Sequence, residues 1–319
     1  MRRGSRADER RLRRRAAAAF LLVILAGCSL NYPQPKRYAI VYGVSIYQTG
    51  WSNNLTYPDI DAIAMRDMMV AQGFDEVKMR ISTDLLAERP SKANLQADIA
   101  SLAAKVGPND LVLFYYSGHG GQFAYQGAER EWIFPYGSVD VGPTFYTVLS
   151  NSIYDSELGA MLDVLPTKRR VVILDSCNSG GFMGSGLEAD TVPPALYQHT
   201  ALAGKVTPAT IIQAIQNYAA ISSAGAGGIS PYKALVIAAA GADESSYEDG
   251  APYNHGIATY YLLQAPASGD LNGDGVVTVV ETFALMKAGI DQTWNSRYTA
   301  SGYVFSPHVS GGPIDLALF

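Results

Sequence analysis

Beyond residue 37 the chain alternates between short runs rich in apolar residues and longer stretches whose apolar residues recur every three or four positions. The short runs, at 38–46, 76–81, 110–116, 170–175 and 233–240, read as strands, and several are apolar on both parities, as strands covered on two faces are. The longer stretches, at 59–72, 91–106 and 152–165, have helical periodicity, with Ser91 and Asn151 placed to cap a first turn through a side-chain oxygen. Strands alternating with helices predict β-α-β units around a parallel sheet, an α/β fold. Residues 122–136 read as a hairpin turning near Gly127. The alternation lapses over 178–231, a Gly/Ser/Ala-rich segment with one helical stretch at 208–220, and a connection of that length is expected to be functional or mobile.

Composition narrows this picture. With 319 residues, 48% hydrophobic and 17% charged, the chain has ample material for a core, which excludes disorder for most of it. The first 27 residues hold eight arginines against Asp8 and Glu9. Without these, 16 of the 24 basic and 27 of the 29 acidic residues remain, a net charge of −11. A body this acidic is unsuited to neutralising phosphates, so nucleic acid is not an expected partner. The arginines precede an apolar run over 16–26, too short to span a bilayer and right for the hydrophobic part of a signal peptide. It closes on Leu25-Ala26-Gly27-Cys28, which resembles a bacterial lipobox. Residues 1–27 are thus expected to be a signal peptide, Cys28 to carry lipid, 28–37 to be a linker and 38–319 a single domain, held at a membrane of the bacterial cell envelope by its lipid anchor.

The chemistry concentrates at two strand ends. Ser117-Gly118-His119-Gly120-Gly121 follows one buried run, and Asp175-Ser176-Cys177-Asn178-Ser179-Gly180 follows another. Ligands of an open parallel sheet bind outside the carboxyl ends of its strands, so His119 and Cys177 should face one crevice. A thiol attacks as thiolate and an imidazole can take its proton, so the pair suffices for acyl transfer without a cofactor. If Cys28 is lipidated, Cys177 has no disulfide partner, and the histidines at 119, 199, 255 and 308 match no zinc spacing.

These two motifs make the sequence resemble the caspase-like cysteine peptidases, and within them the metacaspases and their bacterial relatives. His119 and Cys177 are 58 residues apart, near the roughly 50 of caspases. Weaker similarity runs from Tyr38 to Ala258 through Leu55, Asp61-Ala62, Pro135 and Asp155-x-Glu157-Leu158. The resemblance implies a three-layer α/β/α sandwich with a mostly parallel six-stranded sheet, Cys177 as nucleophile, His119 as general base, and the N–H groups of Gly120 and Cys177 as oxyanion hole. Asn178 stands where the family often has histidine. Caspases place Gln two before the cysteine, whereas this chain has Asp175. Residues two apart in a strand share a face, so Asp175 and Ser117 should accompany Cys177 and His119. With Asp61, which the metacaspase pattern adds, they imply substrates cut after Arg or Lys. The only basic residue in 178–231 is Lys205, the expected point of self-cleavage.

A second motif, Asp270-x-Asn272-x-Asp274-Gly275-Val276-x4-Glu281, fits an EF-hand calcium loop at every specified position. Asp270, Asn272, Asp274, the Val276 carbonyl and Glu281 are the expected ligands of a structural or regulatory Ca2+. The rival to a peptidase is a non-catalytic, calcium-braced surface lipoprotein using the same fold as a binding module.

Overall fold

Six strands form one sheet: β1 (Arg37–Gly43), β2 (Glu76–Ile81), β3 (Leu111–Ser117), β4 (Arg169–Asp175), β5 (Leu235–Ala238) and β6 (His308–Ser310), in the spatial order β2-β1-β3-β4-β5-β6. Neighbours are parallel except β6, which runs antiparallel to β5. The structure, a computed structural model, describes residues 34–49, 53–125, 128–141, 145–147, 149–177, 234–241, 244–311 and 315–319. The signal segment, Cys28, Gly127, Asn178, the helical stretch at 208–220 and Lys205 lie outside them. The helices that accompany the sheet include α1 (Pro58–Ala71), α2 (Lys92–Ala103), α3 (Asp155–Leu162), α4 (Ile257–Leu262), α5 (Ala265–Ser268) and α6 (Val279–Gly289). None among the described residues is long and apolar enough to cross a membrane.

The doubly apolar strand pattern is explained by two cores. Ala39, Val41, Leu113, Tyr115, Val171 and Ile173 pack with Ala62, Met65 and Met69 of α1 and with Val280 and Phe283 of α6. Their neighbours along the strands, Ile40, Tyr42, Val112, Phe114, Val172 and Leu174, pack with Leu95, Ile99 and Leu102 of α2 and with Leu158 and Leu162 of α3. The result is a three-layer α/β/α sandwich. Each fully buried aliphatic or aromatic side chain contributes about 1.5–3 kcal/mol of transfer free energy.

Local chemistry sets the helix ends. Pro58 opens α1 with a ring already at helical φ and no N–H to orphan. Gly73, at φ +76°, supplies the left-handed turn after it. Ser91 caps α2 by accepting the Asn94 N–H at 3.2 Å. Asn151 does not cap α3. Ile153 and Tyr154 pair with Ile133 and Trp132, so the chain stays extended until Asp155. Asn151 instead donates to the Gly137 carbonyl at 2.8 Å. The expected hairpin joins Gly120–Tyr125 to Ala128–Ile133.

Three strand ends are level. Gly43 pairs with Ser117, and Ser117 with Asp175. A Cβ on Gly43 would lie 2.2 Å from the Pro58 carbonyl oxygen, so the bare Cα lets α1 start directly against the end of β1. That packing brings Asp61, in the first turn of α1, to the carboxyl edge of the sheet.

Candidate active site

The residues beyond β3 and β4 line a cleft of about 410 Å³ with contributions from α1 and the chain after β5. Asp61, Ser117, His119, Asp175 and Cys177 all border it, joined by Ser246, Tyr247, Glu248 and Gly256. The level strand ends account for this: two residues past Ser117 and two past Asp175, His119 and Cys177 emerge side by side.

The His119 ring nitrogen Nε2 lies 2.7 Å from the Asn53 carbonyl oxygen. A carbonyl only accepts, so Nε2 carries the hydrogen in the neutral imidazole, and Nδ1 is the basic nitrogen. Burial holds the His119 pKa below its ordinary value, which keeps the ring neutral at physiological pH. Cys177 is half-buried, and its Sγ lies 3.7 Å from the Ser246 carbonyl oxygen as donor. Burial raises the thiol pKa, and nearby Asp175 raises it further. The resting pair is therefore neutral thiol and neutral imidazole.

Gly120 closes the site from behind. A Cβ there would lie 2.2 Å from the Cys177 carbonyl oxygen, so only glycine lets the two motif backbones meet. The Phe134 N–H donates to the His119 carbonyl at 3.1 Å, and Gly120 sits opposite Ile133 at the next, non-bonded position of the ladder. Its N–H consequently points out of the hairpin.

Two buried carboxylates form the floor. Asp61 accepts from Ser117 Oγ at 2.9 Å and bonds His255 Nδ1 at 2.7 Å, while the Gly256 N–H reaches both of its oxygens at 3.3 and 3.2 Å. Asp175 accepts from Ser246 Oγ at 2.6 Å and from the Thr259 hydroxyl and N–H at 2.6 and 3.1 Å. Desolvation pushes the Asp61 pKa up to about 6 despite the His255 bond, and it raises Asp175 as well. Glu248 lines the same cleft while accepting the N–H groups of Thr56 and Tyr57 ahead of α1. No lysine or arginine is among the described lining residues, so the charge that this lining presents is acidic alone.

The sequence motifs did not point to Tyr47, Asn53, Ser246, Glu248, His255 or Thr259. His255 and Gly256 carry one visible signal, a His-Gly step before an apolar helix, yet nothing local ties it to Asp61, 194 positions away.

The chain also matches the model of the caspase domain over residues 36–287. It belongs to the caspase-domain peptidase family. Among curated proteins it is similar to Metacaspase-1 of Schizosaccharomyces pombe, 29% identical over 153 residues that make up 46% of this chain and 35% of that one. Metacaspase-1 of Mycosarcoma maydis is 31% identical over 157 residues, 46% of this chain and 36% of its own. The chain thus spans about a third of the length of these relatives. Among solved structures, a crystallised protein of Geobacter sulfurreducens shares the fold at a TM-score of 0.52 and 19% identity, covering 89% of this chain and 98% of that one.

Away from the cleft, the segment 270–281 folds as a tight turn into α6. Asp270 accepts the N–H groups of Gly273, Asp274 and Gly275 at 2.7, 3.1 and 2.9 Å, with Gly275 at φ +85°. Glu281 reaches back to the Leu271 N–H at 3.2 Å and forms a capping box with Thr278. The all-oxygen set of Asp270, Asn272, Asp274 and Glu281 suits a hard cation in kind. Among the described residues, no group of three or more His, Cys, Asp or Glu side chains converges as a ligand cluster.

Proposed function

We propose that this chain is a cysteine endopeptidase that cuts after Arg or Lys with a Cys177–His119 dyad. The observation that carries the proposal is the arrival of a half-buried neutral histidine and a half-buried thiol at adjoining strand ends, in a cleft whose charged lining is all acidic. His119 Nδ1 takes the thiol proton as the sulfur attacks the scissile carbonyl. The oxyanion that develops is held by the N–H groups of Gly120 and Cys177. The tetrahedral species collapses to a thioester as His119 gives its proton to the leaving amine, and water, deprotonated by the same ring, hydrolyses the thioester. The cation of the residue before the scissile bond lies against Asp61 and Asp175, with Ser117 beside them. A neutral resting thiol fits this order, because proton transfer then waits for substrate to close the cleft.

The remaining features belong to the same proposal. The protein is of the bacterial type, exported and lipid-anchored through Cys28, and it acts on proteins or peptides with basic residues. Processing within 178–231 follows Lys205. Asp270, Asn272, Asp274, the Val276 carbonyl and Glu281 would hold Ca2+, whose charge would brace the turn into α6.

Turnover of an Arg- or Lys-reporter peptide tests the reaction. Iodoacetamide, Cys177→Ala and His119→Ala should each abolish it, and the double variant should lose little beyond either single one. Full turnover by Cys177→Ala would overturn the proposal, and no turnover by the intact protein would favour a binding module.

A further inference from the structure

Two buried phenols meet beneath the His119 peptide. The His119 N–H donates to the Tyr47 hydroxyl at 2.6 Å, and the hydroxyls of Tyr47 and Tyr116 are 3.2 Å apart. The one Tyr116 proton is shared between the carbonyl oxygens of His119 and Phe134, each at 2.9 Å. A phenol has a single proton, and neither carbonyl can donate, so the proton between the two hydroxyls belongs to Tyr47. The direction follows: His119 N–H to Tyr47, Tyr47 to Tyr116, and the shared Tyr116 proton to the His119 carbonyl together with that of Phe134. The hydrogen bonds form a ring that leaves one residue's backbone and returns to it.

The same loop grips the side chain. The Tyr47 ring faces the imidazole with centroids 4.9 Å apart, and the Asn53 carbonyl meets Nε2 from a few residues further on. Asn54 holds these two contacts together, accepting the Tyr47 N–H at 2.9 Å and donating to the Gln48 carbonyl at 2.7 Å. There is no slack around the phenols, since a Cβ on Gly118 would lie 2.6 and 2.7 Å from their oxygens.

We propose that Tyr47 is a positioning residue for His119, acting with Tyr116 through this closed ring to fix both the backbone and the imidazole plane of the general base. The inference rests on the reading of His119 as that base. Burial raises the pKa of both phenols well above the ordinary value, so the ring keeps its protons across the working pH range. Displacement of a reacting group by about 1 Å costs up to about a hundredfold in rate, which is the scale on which such a device acts.

Tyr47→Phe keeps the aromatic face and removes the hydroxyl; Tyr116→Phe breaks the ring at its other member. Each should lower kcat on the basic reporter by about tenfold or more with KM within about twofold. With the imidazole released toward water, the acid limb of the kcat/KM profile should move up toward the ordinary histidine value. The double variant should lose no more than the worse single one, because both act on one ring. Wild-type kcat and an unmoved acid limb in both variants, even with a lowered melting temperature, would overturn the inference. Cys177 alkylation against pH reads the same ring without peptide cleavage. An altered profile in Tyr47→Phe supports it even if no reporter is cut, and an unaltered one overturns it. Failure of the dyad itself is distinguished by His119→Ala retaining turnover.

Discussion

A methyl group added to Gly120 has nowhere to go but into the Cys177 carbonyl, 2.2 Å from where its carbon would stand. The obstacle is backbone on the motif that also carries the Cys177 thiol, so relief must separate the two strand ends. Gly120→Ala is expected to lose about a hundredfold or more in turnover while costing only about 1–3 kcal/mol of stability, the usual range for overpacking. Circular dichroism melts alongside reporter kinetics check it, and near-normal turnover would show that the two backbones tolerate separation. Cys177 makes a second residue-scale expectation. Its thiol pKa is raised by burial and by Asp175, so alkylation by iodoacetamide in the resting protein should be slow at neutral pH and climb on the alkaline side of the ordinary thiol value. A rate already level by pH 7 would mean that a thiolate is present before substrate arrives.

At the scale of elements, α6 is the most testable helix because its start is specified twice. Thr278 accepts the Glu281 N–H while the Glu281 carboxylate accepts from the Thr278 N–H and hydroxyl. Thr278→Ala should therefore cost about 1 kcal/mol. If the preceding turn holds Ca2+, the melting temperature should also fall on chelation and with Asp270→Ala, by mass action on the folded state. Identical melting curves in EGTA and millimolar Ca2+ would reduce segment 270–281 to a capped turn. Five of the six sheet strands were legible in the sequence: four carry apolar residues at successive positions, and Glu76–Ile81 alternates polar and apolar residues as a strand with one covered face does. The sixth was not: His308–Ser310 is three residues long, runs antiparallel at the edge and is specified only by its pairing with β5. Asn151 misled for a related reason, since the pairing of Ile153 and Tyr154 with a distant hairpin overrides the local capping preference. In the cleft, the motifs carrying His119 and Cys177 could be read as strand-end signatures. Ser246 lines the cleft, and Tyr47 and His255 bond His119 and Asp61 in its lining, only through tertiary packing, which no local spacing encodes.

The whole molecule holds its acidic cleft at a cost to stability, and the sign can be worked out from Asp61. Its carboxyl titrates near 6 in the folded chain against an ordinary value near 3.8, so the folded state binds the proton more tightly than the unfolded one. Stability from this group is full below about pH 4 and is lost as pH rises through about 6, a difference on the order of 3 kcal/mol for two pKa units. The Asp175 pKa is raised as well, and its loss runs in the same direction. The proposed function runs the other way, because a substrate cation would be attracted only by the ionised carboxylate. Asp61→Asn should accordingly raise the melting temperature more at pH 7 than at pH 4, flatten its pH dependence and increase KM for an Arg reporter with little change in kcat. In the wild type, KM for that reporter should fall as pH rises through about 6, while a reporter with a neutral residue at the same position shows no such fall. Melting curves and KM values at matched pH decide the matter. An Asp61→Asn variant less stable than wild type at pH 7 would mean that the bonds from Ser117, His255 and Gly256 outweigh the desolvation of the charge.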